Sequence, residues 1–500
     1  MRIVKSFQSS FGQVDIAQID LNARSRDDIP AILKGLQYIY VTPEIRASVF
    51  TVLETSLGGD VRKDTGRPGM ELWKVFVLAT LKLGLGCDYD RLEELANQHN
   101  TLRQMLGHSG WDDPSRYALQ TLIDNVSKLT PEVLVEVNQI VVEAGHELIK
   151  KGRCGLTLKG RCDSFVVETD VHYPTDTNLL WDALRKLIKQ AGRSCEASGI
   201  VRHRITTRGW RQYEYNCRQV KHLFRRTQKV RPSTSKDAEN RQAKNEQVAA
   251  VYGAYLDSAR FYVEKGKQAR ASLEARGEII AVMLLSPWIV DAERQIDQIN
   301  RRVLQGDVIP HEEKVFSLFE SHTEWISKGK AGVPVELGVR VCVLEDQYQF
   351  ILHHQVMWQT TDDKVPVSMV AQARQRYPEL SQCSFDKGFY TPANQRDLSE
   401  LLAHVILPKK GRLSTADKVR ETSDIFRAAR HQHSAVESCI NNLEQRGLDR
   451  CRSHGKHGFE CHVALSVVAT NVHRMGLLLQ RTEKKKLERA ERRTRKKIAA

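Results

Sequence analysis

The sequence predicts an α/β protein in which a mixed sheet flanked by helices is preceded by an all-helical region and interrupted by a large helical insertion. Three observations carry this expectation. Apolar residues recur at helical spacing through residues 1–150. Short runs rich in β-branched residues begin at residue 156, return after residue 330, and from there alternate with helical segments. Between the first run and the second, the pattern is helical throughout. With 500 residues and 41% apolar content, the chain can bury a large core.

Each element follows from local signals. In MELWKVFVLATLKLG, Leu72, Phe76, Val77 and Leu81 share one helical face, and glycines at 84 and 86 end it. DRLEELANQHNTLRQML follows at once. Asp113 before Pro114 and Thr130 before Pro131 are cap signals for two more helices. Such closely spaced helices fit a helix-turn-helix-like DNA-binding module, and equally a plain helical bundle. Residues 156–171 (LTLKGRCDSFVVETDV) are extended. Pro174, Thr175 and Asp176 then open a helix with Leu180, Leu184, Leu187 and Ile188 inward and Asp176 as its expected N-cap. Helix continues to about residue 328. VELGVRVCVL (335–344) and YQFILHHQVMW (348–358) form a hairpin. A helix starts near Pro366, a short strand (381–385) ends at Asp386, Pro392 opens another helix, and 404–407 is a strand. One long helix spans 424–445, with Phe426, Ala429, Val436, Ile440 and Leu443 on one face. The last apolar helix, 464–479, leads into a charged tail. The expected regions are therefore 1–150 (helical), 151–180 (first strand of the core), 181–328 (insertion), 329–480 (remainder of the core) and 481–500 (basic tail). Without the insertion, this order matches a ribonuclease-H-like sheet.

The formal net charge of +15 favours a polyanionic partner, and nucleic acid before others, although a merely basic enzyme has the same balance. No apolar run is long enough to span a bilayer, so no membrane partner is expected. The opening MRIVKSFQSSFGQ lacks the apolar segment of a signal peptide. Cytoplasmic placement is expected, with the 10 cysteines reduced. Cys451, His454, His457, Cys461 and His462 lack the paired spacing of a zinc site, and their Gly-rich segment suggests a loop.

Three carboxylates occupy positions where α/β sites assemble. Asp163 lies within the first strand, Asp386 ends a later strand, and Glu437 borders the buried face of a helix. Any one of them alone fits a helix cap or a solvated acid. Together they would repel one another unless a cation offset their charge. Mg²⁺ prefers such oxygen ligands, and a pair of ions roughly 4 Å apart serves phosphoryl transfer.

Motifs around these residues sharpen the reading. DSFVVETDVHYPTDTNLL (163–180) resembles the first catalytic block of insertion-sequence transposases. FDKGFYTPAN (385–394) is similar to the second block and HSAVESCINNLEQRGLDRC (433–451) to the third. SHTEWISKGK (321–330) and VELG (335–338) resemble the linking segment, and GRPGMELWKVFVLATLKLG with YDRLEELANQH the helical DNA-binding region. The ordered set covers most of the chain and resembles DDE transposases of the ISNCY type.

The resemblance implies that Asp163, Asp386 and Glu437 are catalytic and metal-binding, with Asp170 as a rival to Asp163. It implies two Mg²⁺ ions, for which Mn²⁺ can substitute, and double-stranded DNA partners, both element ends and target. It also implies a homo-oligomer that cleaves at terminal inverted repeats and joins the freed 3′-OH to target DNA. A catalytically inactive, domesticated DNA-binding protein and a dedicated nuclease on the same fold are the alternatives. The chain departs from the Tyr-x2-Arg-x3-Glu-x6-Lys helix of related transposases, since Arg430, His433 and Glu444 stand in place of the Tyr, Arg and Lys.

Segment 202–231 interleaves basic and aromatic residues. Arg202, Arg204, Arg208, Arg211, Lys221, Arg225 and Arg226 are candidates for phosphate contact. Trp210, Tyr213, Tyr215 and Phe224 are candidates for stacking on unpaired bases. An exposed basic helix is the plainer reading. Lys409, Lys410 and Arg412 follow a core strand and are candidates for target phosphates. The tail RTEKKKLERAERRTRKKIAA is expected to be a solvated helix that strengthens DNA binding without choosing a sequence.

Overall fold

A computed structural model describes residues 3–5, 12–57, 69–109, 113–150, 157–200, 210, 212–233, 236–327 and 334–498. The chain forms two compact units, Met1–Asp170 with Glu324–Ala500, and Val171–Thr323.

The first unit opens with α1 (Asp28–Val41), α2 (Pro43–Leu57), α3 (Leu72–Gly84), α4 (Tyr89–Gln98), α5 (Asn100–Met105), α6 (Leu119–Val126) and α7 (Pro131–Lys150), followed by β1 (Leu158–Thr169). Rather than presenting one apolar face, α3 is buried at every position except Lys74. The helix expected after Pro114 starts only at Leu119, because Asp113 caps a turn instead. Its carboxylate accepts from the Ser115 amide at 2.9 Å and meets His108 Nδ1 at 2.7 Å.

The second unit is helical: α8 (Asp176–Ala197), α9 (Tyr213–Thr227), α10 (Ala238–Glu274) and α11 (Ile279–Ile299). The N-cap of α8 is Thr175, whose side chain accepts from the Asn178 amide, and not Asp176. Asp176 is instead the first helical residue and pairs with Arg302 at 2.5 Å. Leu180, Leu184, Leu187 and Ile188 are buried as the spacing predicts. The unit ends before Glu324, where a strand begins four residues earlier than the sequence boundary at 328.

The chain returns to the first unit through β2 (Glu324–Ser327), β3 (Val335–Asp346), β4 (Ile351–Met357), α12 (Pro366–Arg376), β5 (Leu380–Phe385), α13 (Pro392–Leu401) and β6 (His404–Ile406). Then come α14 (Thr415–Thr422), α15 (Asp424–His433), α16 (Ala435–Leu443), β7 (Arg450–Cys451) and α17 (Gly455–Ile498). The strands form one mixed sheet. β3 lies antiparallel to β1 and carries β4 and β2 along its other edge. β5 and β7 pair parallel with opposite ends of β1, and β6 extends the sheet in parallel beyond β5.

The single helix expected over 424–445 is broken at Ser434. The Ser434 hydroxyl bonds the His431 carbonyl at 3.0 Å, and the Glu437 amide bonds Ser434 O three residues back, so local bonds replace the regular ladder there. The segment holding Cys451 to His462 is likewise not all loop, since helix begins at Gly455 and runs for 44 residues through the apolar stretch and the charged tail.

The N-terminal helices do not form a separate body. Their apolar residues and those of one sheet face, including Cys162, Leu344, Cys383 and Phe385, make a single core. Helices α1 and α17 approach closely at glycines. A Cβ on Gly476 would lie 1.8 Å from Ala31 O, and one on Gly35 would lie 2.3 Å from Val472 O. Fully buried Asn471 then ties α17 to the sheet. It accepts from the Ile351 amide at 2.9 Å and donates to Asn138 of α7 at 2.7 Å, so these buried polar groups are satisfied.

Candidate active site

The register of β1 and β5 decides the placement of two carboxylates. Cys162 stands opposite Phe385, and both join the core on one sheet face. Side chains alternate along a strand, so the next residue of each points to the other face. Those residues are Asp163 and Asp386. Paired strands lie about 4.8 Å apart, which makes the two acids neighbours. Glu437, exposed in the first turn of α16, follows Val436, which anchors that helix in the core.

Electrostatics link these groups. Burial first, and then the charges of Asp386, Asp362 and Glu437, push the Asp163 carboxyl up to about 6. Its bond from the Ser164 amide, at 2.8 Å, works the other way. Asp362 is a fourth acid, which no sequence motif singles out. The Ser164 hydroxyl donates to Asp362 Oδ1 at 2.6 Å. The other oxygen, Oδ2, would lie 3.1 Å from a Cβ on Gly388, so the Gly of FDKGFY leaves room for this carboxylate.

Asp170 stands apart. It lies seven residues along the strand from Asp163, about 23 Å at the usual rise. It is exposed and sits 3.8 Å from Arg450 of β7. The structure therefore sets Asp163 beside Asp386, puts Asp362 and Glu437 near enough for their charges to act on Asp163, and leaves Asp170 at the far end of β1.

Two residues at the altered motif positions complete the surroundings. Arg430 donates to Asp386 Oδ1 at 2.9 Å and to Phe385 O at 3.0 Å, clamping α15 onto the end of β5. His433 is buried with Nδ1 3.0 Å from Ser384 Oγ, while its Nε2 has no hydrogen-bond partner. Burial first, then Arg430, pulls its pKa down to about 4, so the ring is neutral at physiological pH.

A hard divalent cation suits this donor set, because every candidate ligand is a carboxylate oxygen and the charges of Asp386, Asp362 and Glu437 add to burial in raising the Asp163 carboxyl. Among the described residues, no three acidic, histidine or cysteine side chains already sit close enough to cage an ion. Arg430, held on Asp386, occupies part of that space.

The basic candidates separate into two groups. Trp210 is buried in the core of the second unit and Phe224 stacks there on Trp181, so neither is open to a nucleic acid base. Tyr213 packs against the same core, whereas Tyr215 is exposed. Lys221, Arg225 and Arg226 are exposed along α9. Arg202, Arg204, Arg208 and Arg211 lie outside the described residues. Lys409 is held by Asp417 at 2.5 Å, while Lys410 and Arg412 are exposed. Among the described residues no helix is long and apolar enough to cross a membrane. Comparison with protein-family models, curated proteins and solved structures found no match to this chain.

Proposed function

We propose that the chain is a DNA transposase of the DDE type, with Asp163, Asp386 and Glu437 as the carboxylates that hold two divalent cations. The observation that carries the reading is the β1–β5 register, which sets Asp163 beside Asp386 under the helix bearing Glu437. The strand order supports it, since three antiparallel strands followed by two parallel ones suit a ribonuclease-H-like core. The ordered motifs resembling ISNCY-type transposases support it further.

When bound, the cations supply activation of an attacking oxygen and stabilisation of a leaving one. The residues of this chain fix where that happens. Asp163 stands within β1 and Asp386 is the first residue past the end of β5, so their separation follows from the pairing of those two strands. Ser164 orients Asp362 beside them. Arg430 must leave Asp386, at least in part, for that carboxylate to serve as a ligand, and its guanidinium is then available to a DNA phosphate. Water and then a strand's 3′-OH act as nucleophiles, so no covalent link to the protein is needed. Exposed Lys221, Arg225, Arg226, Lys410 and Arg412 would supply sequence-independent phosphate contacts in a homo-oligomer on DNA.

The test is Mg²⁺- or Mn²⁺-dependent nicking of duplexes made from the DNA that flanks the coding segment, followed by strand transfer from pre-cut ends. Cleavage and joining are expected for the wild type. Cleavage without joining would make it a nuclease, and binding without cleavage an inactive DNA-binding relative.

A further inference from the structure

A second charged place in the first unit is not used by this reading. Where α3, α4, α6 and α7 meet the start of α17, they line a half-open cavity of about 610 Å³, a usual size for a small-molecule site. Lys82, in the last turn of α3, lines it and is only 8% exposed. Its ammonium lies over the Tyr89 ring, 4.6 Å from the centroid, and no carboxylate among the described residues pairs with it. Burial pulls the Lys82 pKa below the usual lysine range, and nearby Cys87, Cys451 and Asp88 offset this only in part.

The rest of the wall has the same sign. The cavity receives the N-terminal end of a 44-residue helix whose first turn holds no acidic residue. That end carries the positive pole of the helix dipole. Lys456 and Arg452 stand at the rim, Lys456 over the Trp358 ring at 5.3 Å and Arg452 3.7 Å from Asp88. His462 is already used, its Nε2 bonded to Gly447 O at 2.8 Å. Ser127, Ser453, His454 and His457 also line it, and the larger share of the remaining surface is apolar, with Leu129, Leu134 and Leu465 facing the same space. A bare hydrated ion would leave those side chains unmatched, whereas a phosphate carried on an organic group would satisfy both halves.

We propose that this cavity binds a phosphate ester, with Lys82 and the α17 N-terminus holding the phosphate and the leucine wall holding the attached nucleoside. The ester has two possible sources, a free nucleotide or the 5′-phosphorylated end of a DNA strand. The experiment is calorimetric titration of the full-length protein, without divalent metal, using thymidine, thymidine 5′-monophosphate, and a short single-stranded oligonucleotide with and without a 5′-phosphate. The monophosphate should bind at least about ten-fold more tightly than thymidine, a difference worth about 1.4 kcal/mol. Lys82→Met should abolish that preference while melting no lower than wild type, because it replaces a buried unpaired charge by an apolar chain of similar length. Exposed Lys456→Gln should weaken monophosphate binding by a smaller factor, and it stands as a second probe if Lys82→Met misfolds. A Lys82-dependent gain from the 5′-phosphate on the oligonucleotide assigns the site to a DNA end, and a gain confined to the mononucleotide assigns it to free nucleotide. Equal binding of thymidine and its monophosphate, or unchanged monophosphate binding in both variants, overturns the proposal. Metal-dependent cleavage can succeed or fail independently of either result.

Discussion

The carboxylate cluster at the end of β5 and the cavity at the start of α17 are electrostatic opposites that leave like charge uncompensated in different ways. The cluster gathers Asp163, Asp386, Asp362 and Glu437 at a partly open strand end, where Arg430 lends one counter-charge and Asp163 holds its proton more tightly than usual. The cavity buries Lys82 against the Tyr89 ring, with Asp88 and Arg452 near enough to act on its charge. Partial solvation lets several acids share a site, whereas a cation left only 8% exposed has little such relief. The strand-end cluster therefore suits an exchangeable cation and the cavity an anion.

The largest expected effect lies in the cluster. Asp163→Asn, Asp386→Asn and Glu437→Gln should each lower metal-dependent cleavage by ~10²–10³-fold or more, the scale of losing a group that supports transition-state charge. DNA binding in a gel-shift assay should survive. Asp170→Asn should cleave within about two-fold of wild type, as its place beside Arg450 has no link to β5. Equal losses in the Asp170 and Asp163 variants would break the register argument on which the cluster rests.

A smaller effect is expected at Asp362. Asp362→Asn should weaken Mn²⁺ affinity, read by electron paramagnetic resonance, by roughly 10-fold, the lower end for groups that orient or assist ligands. Gly388→Ala should act in the same direction, since its Cβ would crowd Asp362 Oδ2 at 3.1 Å. Unaltered Mn²⁺ binding in both variants would remove Asp362 from the site.

Stability should move the opposite way. The Asp163 carboxyl is raised from 3.8 to about 6 in the folded chain, so folding favours its protonated form. The metal-free protein should therefore lose stability as pH rises from about 4 to about 6 and regain none above. Asp163→Asn removes that penalty. In chelator at pH 7.5 it should be more stable by about 1–2 kcal/mol, allowing for partial solvation of the site. The gap over wild type should close near pH 4. A variant less stable than wild type at pH 7.5 would mean that the acid is held by favourable contacts that outweigh the cost of burial and like charge.

How much of this was legible depended on whether a feature is local. The strands and helices of the sheet follow alternation and capping signals, and the chain places β5 and α13 where Asp386 and Pro392 lead one to expect them. Asp163 within one strand and Asp386 ending another could be picked out as candidates because acids in or beside strand patterns are visible in one dimension. Asp362 was not, because it lies in a polar turn, TTDDK, and only the fold brings that turn to Ser164. Trp210 and Phe224 misled for the converse reason. Interleaved with arginines they resemble a stacking surface, yet Phe224 on α9 and Trp210 in the turn before it face inward to the second unit's core. Lys82 was invisible in an apolar helix whose burial on nearly every side no periodicity could announce.

The smallest effect concerns the tail, and it sharpens the contrast between specific and diffuse charge. The end of α17 is less detached than a solvated helix need be. Glu483 pairs with Lys34 at 3.1 Å and Glu491 pairs with Arg24, so two of its acids face the body. Lys484, Lys485, Lys486, Arg489, Arg492 and Arg493 remain exposed. Exposed ion pairs are worth little for stability, so truncation after Gln480 should change the melting temperature slightly. For every DNA phosphate that the shortened chain no longer neutralises, the slope of log affinity against log salt should instead flatten by about one unit. Affinity should fall by similar factors for specific and random duplexes, because bonds to phosphate carry no sequence information. A truncated protein with an unchanged salt slope would show that these cations never meet DNA, leaving the tail as a strut that pins the end of α17 through Glu483 and Glu491.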